Sequence, residues 1–456
     1  MSMQQADAAS ANTAQDVRGT IAQRDLVVDL IRTACVVIVV VVHVTMVGVA
    51  SDAAGIRVTS PLQQLPWYVG ATWIGQVMPL FFVVGGFASA MGWRSTVART
   101  DASGSPARDY VATRLVRLFR PAVPLFVVLA VGLGVATAVS TPAELLDELA
   151  FGIGSPLWFL AAYGITQCCV PLMARLHARA PWWTLVVLLV LAAVVDSVRL
   201  ATGVAEVGLL NLGPVWLFAQ QLGFLWVDGW FARRSRLVLL GIAGSAYGLL
   251  VPLTSVGLWA PDMLQDLNPP MLPLAFLAVG QACLVQVVHA PLTRLMQARP
   301  AQAVVFLLGR DGMAIYLWHL PLFILLNGIG LLVGLPFPEP GSGTWWATRV
   351  LAVVVLLATA LGVARAVRRS DRPLPRLAPG SDRPTWPVLA VAAICTIGPA
   401  FAVMQLHLSF PIALVGAVLI PAGVWLLTRT VPTRGVATVS GSSSTGVGPG
   451  LPSREH

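Results

Sequence analysis

Lysine is absent from this sequence of 456 residues, so all 29 of its basic residues are arginine. That pattern fits a GC-rich coding sequence and says little about mechanism. Charge of either sign is scarce: charged residues make up 11% of the chain, against about 25% in soluble globular proteins. With 57% hydrophobic residues, this excludes a soluble globular protein and predicts a polytopic one embedded in a lipid bilayer. Cysteine is sparse too. Cys35, Cys168, Cys169, Cys283 and Cys395 all fall in apolar stretches without the spacing of a zinc site, so they read as packing residues and no metal is expected. The loops are too short for a sizeable soluble domain, which excludes an appended esterase or hydrolase. No internal repeat is evident, which counts against a secondary transporter.

The net charge of +9 suggests nucleic-acid binding at first sight, but the arginines lie between apolar segments rather than on one soluble face. Topology explains them, and no nucleic-acid partner is expected. Runs of about 17 to 25 apolar residues, long enough to span, fall near 26–50, 71–92, 120–140, 155–174, 182–200, 211–231, 237–256, 271–291, 312–334, 346–366, 387–406 and 410–428. Arg94 to Arg120, Arg175 and Arg179, Arg233 to Arg236, Arg294 to Arg310, Arg365 to Arg383, and Arg429 to Arg434 then share one side. The other side collects Asp52, Glu144, Asp147, Glu148, Glu206, Asp262, Asp266 and Glu339. By the positive-inside tendency the arginine side is cytoplasmic, with both termini there. No cleavable signal peptide is expected, because the first apolar run is long and follows a largely polar stretch. The resulting division is a tail over 1–23, a membrane core over 24–366, a Pro/Arg-rich linker over 367–386, two further helices over 387–430, and a Gly/Ser/Thr/Pro-rich disordered tail over 431–456.

Within the first span stand Arg32 and His43. Ionisable groups are costly in a bilayer, so they mark candidate functional sites. Eleven residues at about 100° each bring both onto one helix face, about 16 Å apart along the axis. That is the reach of an extended pantetheine arm, with phosphates near Arg32 and a thioester near His43. The plainer alternative is that Arg32 snorkels and pairs with Asp29 one turn earlier.

Four stretches occur in a recognisable order. They are RDLVVDLIRTACVVIVVVVH (24–43), MPLFFVVGGFASAMGWR (78–94) with the following basic YVATRLVRLFRP, SPLWFL (155–160) and GRDGMAIYLWHLP (309–321). Together they resemble the membrane-bound acyltransferase family 3, whose members use acyl-CoA to acylate extracytoplasmic carbohydrates and related acceptors. The resemblance covers roughly residues 24 to 366. It implies an all-α core of ten helices, to which the last two spans are additions and for whose chemistry they are expected to be dispensable. It also implies that His43 is the catalytic histidine and that Arg32 serves the donor side. The family's Ser-Gly-Phe element reads Gly85, Gly86, Phe87 here, which rules out a serine nucleophile at that position and leaves two glycines that permit close backbone approach. The carboxylate often found after the Trp-Phe-Leu element is not evident, and Tyr163 and Gln167 stand in that region.

Acyl transfer to a hydroxyl needs a base for the proton and a cation or donors for the oxyanion. Histidine suits the first role, and His43 is read as a general base. His319 shares a helix face with Tyr316 and, counted from Arg310 and Asp311, lies about 10 to 14 Å below the cytoplasmic surface; both are read as donor-side residues. Arg94, Arg114, Arg117 and Arg120 are candidates for the coenzyme's phosphates, with Arg117 and Arg120 favoured. Asp196, Asp228 and the tryptophans Trp158, Trp216, Trp226 and Trp318 are assigned no role. The expectation is therefore an inner-membrane acyltransferase moving an acyl group, acetyl for preference, from cytoplasmic acyl-CoA to an extracytoplasmic carbohydrate or glycolipid. Its rivals are a secondary transporter, for which twelve spans and midplane ionisable residues speak, and a non-catalytic membrane scaffold.

Overall fold

The structure is a computed structural model describing residues 25–52, 55–100, 104–369 and 384–429. The two terminal tails and most of the expected 367–386 linker lie outside the described residues.

Asp25 opens α1 (Leu26–Met46) by accepting the backbone N–H of Val27 at 3.0 Å. The valine-rich run that follows would be a mediocre helix former in water. Inside a bilayer the backbone has no partner but itself, and the helix holds. α1 ends in an antiparallel hairpin, β1 (Gly48–Asp52) with β2 (Gly55–Thr59), where Val49 faces Val58. The rest of the described chain is helical: α2 (Tyr68–Gly75), α3 (Met78–Arg99), α4 (Pro106–Phe119), α5 (Ala122–Ala138), α6 (Ala143–Gly154), α7 (Trp158–Arg179), α8 (Pro181–Thr202), α9 (Pro214–Val227), α10 (Arg236–Ser255), α11 (Pro273–Val287), α12 (His289–Leu295), α13 (Arg299–Gly309), α14 (Gly312–Leu332), α15 (Gly343–Arg369), α16 (Trp386–Leu406) and α17 (Phe410–Arg429). The protein is an all-α polytopic membrane protein.

Among the described residues nine helical runs are long and apolar enough to cross a membrane. The number is eleven when the bent pairs α4–α5 (41°) and α11–α12 (59°) each count as one span. The twelfth expected span is α9, only 14 residues long, or about 21 Å. It nevertheless runs between the two polar ends of the bundle. Asn211, just before it, donates to Asp196 near the far end of α8 at 2.8 Å. Asp228, just after it, meets Arg94 of α3 and His177 of α7 at the arginine-rich end. Every residue from Val215 to Trp226 is buried, so this helix is surrounded by protein and need not match the bilayer's thickness.

α9 lies against α3 at two glycines. A Cβ at Gly86 would overlap the carbonyl of Gln220, and one at Gly223 would overlap the backbone of Val83 and Phe87. Backbone-to-backbone approach of this kind is how membrane helices pack without a hydrophobic driving force. The last two helices also pack through glycines, here against side chains. Gly416 of α17 sits on the Phe126 ring of α5, Gly164 of α7 faces Ile397 of α16, and Gly154 faces Val403 and Leu408. Far from standing apart, α16 and α17 pack closely on the core.

Candidate active site

α1 and α14 run side by side. A Cβ at Gly309, before α14, would come 2.7 Å from Thr33 Oγ1. Ten residues further along each chain, about 15 Å, stand His43 and His319. Their rings meet: His319 Nε2 lies 3.0 Å from His43 Nδ1, with centroids 4.9 Å apart. His319 therefore stands at the level of His43.

The hydrogen bonds fix what each nitrogen does. His319 Nδ1 contacts the carbonyl of Tyr316, which can only accept, so that nitrogen carries the proton. In a neutral ring Nε2 is then a lone pair, and it accepts from Nδ1–H of His43. The remaining lone pair of the relay is on His43 Nε2. His319 is fully buried, whereas His43 is partly exposed. The lipid-type exposed positions of α1, Ile38 and Val41, include one two residues, or about 200°, away from His43. The open side of His43 thus faces the bundle rather than the lipid.

Tyr316 is held from the other side. Its hydroxyl donates to the carbonyl of Pro156 at 3.1 Å, in the short 3-10 turn Ser155–Leu157 that precedes α7. Its ring packs on Phe159 at 4.8 Å, which in turn stacks on Tyr163 at 5.2 Å. The Trp-Phe-Leu stretch and the Tyr-Leu-Trp-His stretch, far apart in sequence, are therefore one structural unit behind His43. Gly85, where the family has a serine, lies against Tyr163: a Cβ there would be 3.0 Å from the ring and 3.1 Å from its hydroxyl. The absence of a side chain at 85 is what admits the tyrosine.

Arg32 pairs with Asp29 at 3.2 Å, and its side chain stays 37% exposed. The pairing expected of a snorkelling arginine is present, and the guanidinium still reaches solvent-accessible space. The other arginines separate. Arg94 is bound to Asp228, which also accepts from His177 at 2.9 Å. Burial pushes the Asp228 carboxyl up, but the hydrogen bonds and charges of His177 and Arg94 outweigh it and hold the group below its ordinary value. Arg117 is exposed on α4 and Arg120 is half-buried at its end. Arg114, ranked behind them on sequence, is the one that turns inward. It donates to the Ala88 carbonyl at 3.1 Å, lies 5.0 Å over the Tyr110 ring, and occupies the space that a side chain at Gly92 would take. Beside it is a buried polar network that the sequence did not announce: Ser89 and Tyr110 both meet Gln167, at 3.1–3.2 Å and 3.1 Å. Nothing in the spacing of Ser89, Tyr110 and Gln167 links three different helices.

Trp216 is wholly buried and stacks on Phe82 at 4.3 Å, as core rather than lining. Asp196 is likewise internal, accepting from Asn211, Trp259 and the N–H of Leu272. Among the described residues no three metal-ligating side chains converge.

The described residues thus form an all-α membrane bundle with an imidazole pair, His43 and His319, between α1 and α14. The model of an acyltransferase domain, that of the membrane acyltransferase family 3, matches residues 25–365. The chain belongs to this family and is an acyltransferase. No curated protein and no solved structure matches it.

Proposed function

We propose that the enzyme transfers an acyl group, acetyl for preference, from cytoplasmic acyl-CoA to a hydroxyl of an extracytoplasmic carbohydrate or glycolipid, in the inner (cytoplasmic) membrane. His43 acts as general base. Its Nε2 takes the proton as the acceptor oxygen attacks the thioester carbonyl, and the tetrahedral intermediate collapses by breaking the C–S bond. The same nitrogen returns the proton to the departing thiolate. His319 is a positioning residue that orients the His43 ring and accepts a hydrogen bond from the imidazolium that forms. Arg32, with Arg114, Arg117 and Arg120, supplies positive charge for the coenzyme's phosphates. Arg94, already bound to Asp228, contributes less. Tyr316 serves the donor side indirectly, by holding His319.

The observation that carries this reading is the chain Tyr316 carbonyl, His319, His43, which leaves one lone pair, on His43 Nε2, at the partly open end. The test is turnover of radiolabelled acetyl-CoA by purified protein with membrane glycan extract as acceptor. His43→Ala should lose about 10²- to 10⁴-fold in turnover, the range of general-base catalysis, with unchanged melting temperature. His319→Ala should lose less, and should leave the affinity for coenzyme A unchanged. Full turnover in a well-folded His43→Ala protein would sink the assignment.

A further inference from the structure

We propose that a second site, separate from the imidazole pair, binds the headgroup of an anionic phospholipid that carries hydroxyls, of the phosphatidylglycerol kind. A cavity of about 210 Å³ opens between the start of α10 and the α11–α12 bend. Arg234, Arg236, Gln286 and His289 supply its polar lining, and Leu239 and Val287 its apolar wall.

Its charge has no internal use. Among the described residues no carboxylate pairs with Arg234 or Arg236. Arg234 is nonetheless held in place, 5.0 Å over the Trp230 ring. Arg236 sits in the first turn of α10, whose helix dipole adds positive charge at that end. The one acid nearby, Asp25, lies 3.4 Å behind His289 and is occupied in capping α1. Two guanidinium groups bordering one polar space, one of them held over Trp230, are suited to a phosphodiester.

Gln286 narrows the ligand further. Its Oε1 is buried with no hydrogen-bond partner, a costly state unless a donor arrives. Phosphate oxygens at a phosphodiester only accept. A headgroup hydroxyl donates. An ammonium headgroup would also donate, but it would face the two arginines. Phosphate plus hydroxyl therefore fits where phosphate alone or phosphate plus ammonium does not.

The surroundings are those of a membrane interface. Trp182 and Trp183, at the start of α8, are 51% and 71% exposed, and Trp182 packs against Trp230 at 5.4 Å. Exposed tryptophans at a helix end are a mark of headgroup level in membrane proteins. On the opposite face of α10, about 200° from the cavity's Leu239, Leu237 is 81% exposed. Along that outward face Gly241, Gly244 and Gly248 have nothing within 4 Å of where a Cβ would be. That is the face α10 turns to lipid, so the cavity lies at the edge of a lipid-exposed helix. A soluble coenzyme A gains nothing from that neighbourhood, which is why the lipid is favoured over it. Basic pockets at the cytoplasmic membrane surface are known lipid sites in general.

The test uses full-length protein in detergent with four additives: phosphatidylglycerol, phosphatidylethanolamine, phosphatidic acid and coenzyme A, each read by native mass spectrometry and thermal shift. Phosphatidylglycerol should bind and raise the melting temperature, phosphatidylethanolamine should not, and coenzyme A should not displace the bound lipid. Arg234→Gln with Arg236→Gln should weaken phosphatidylglycerol binding at least tenfold, while the lipid-free melting temperature stays the same. Gln286→Leu should abolish the preference for phosphatidylglycerol over phosphatidic acid. Equal stabilisation by phosphatidylethanolamine, undiminished binding in the folded double variant, or displacement by coenzyme A would each overturn the proposal. The outcome does not depend on the acyl-transfer reading, because no residue of the imidazole site is altered.

Discussion

His43 can act as a base only if one ring nitrogen keeps its lone pair, and which one is decided two residues away in the hydrogen-bond chain, at the Tyr316 carbonyl. His43 stood out in the sequence as a candidate, because an ionisable group in a valine-rich span is expensive. Its contact with His319 was not. That contact depends on Gly309 meeting Thr33, a register between helices that no local pattern encodes. Asp266, in the loop before α11, is a second residue whose state depends on packing. Its Oδ2 is buried without a partner, and burial pushes its carboxyl up to about 7. The folded protein therefore holds this proton to near neutral pH, whereas the unfolded chain releases it near the ordinary carboxylate value of about 4. Stability from this group is present below that value and is lost as pH rises towards 7, by on the order of 4 kcal/mol. Asp266→Asn, which cannot ionise, should raise the melting temperature at pH 8 and change it little at pH 4.5. An unchanged melting temperature at pH 8 would show that the carboxyl reaches water.

Helices α16 and α17 pose the sharpest question about elements. The family match ends at residue 365, and on sequence the pair looks like a dispensable addition. The structure gives them contacts that an appendage would not need. Gly416 lies on Phe126, Gly164 faces Ile397, and α16 covers Gly154 beside the turn whose Pro156 carbonyl holds the Tyr316 hydroxyl. Loss of α16 would thus loosen the support of His319 at third hand. Truncation after Arg369 should still insert, because each remaining span satisfies its own backbone. It should melt lower than the full chain and turn over about tenfold slower, roughly 1.4 kcal/mol in the barrier, with co-expressed α16–α17 restoring both. A truncated protein with unchanged melting temperature and turnover would return the pair to a dispensable role. The span pattern itself was largely readable from hydropathy, since composition alone decides where apolar helices can lie. α9 shows the boundary of that logic: its length is set by protein neighbours, so the apolar run 211–231 overstates the helix, which begins only at Pro214 after the 3-10 turn Ala205–Leu212.

At the scale of the whole molecule, the asymmetry of charge between the two ends meets the geometry of α1. Arg32 stands near the arginine-rich end and remains partly open beside Asp29, while His43 lies eleven residues further, about 16 Å along the same face. That separation covers roughly half of a 30 Å hydrocarbon core. An acyl-CoA bound by its phosphates at the arginine-rich end could therefore present its thioester at the imidazole pair without leaving its own side, and an acceptor could approach from the other. The expected outcome is transfer between substrates that never share a compartment. In proteoliposomes of one orientation, labelled acetyl-CoA supplied at the arginine-rich face should acylate an acceptor confined to the opposite face, and the same donor at the acidic face should not react. Arg32→Ala should weaken donor affinity by on the order of 1.5 to 3 kcal/mol, the worth of a charge-assisted contact, and leave acceptor affinity unchanged. A transporter would carry a whole solute across, and a scaffold would do neither. Acylation that requires both substrates on one side would refute the transmembrane arm even with His43 as the base, because the chemistry at the imidazole pair and the route by which the thioester reaches it are separate claims.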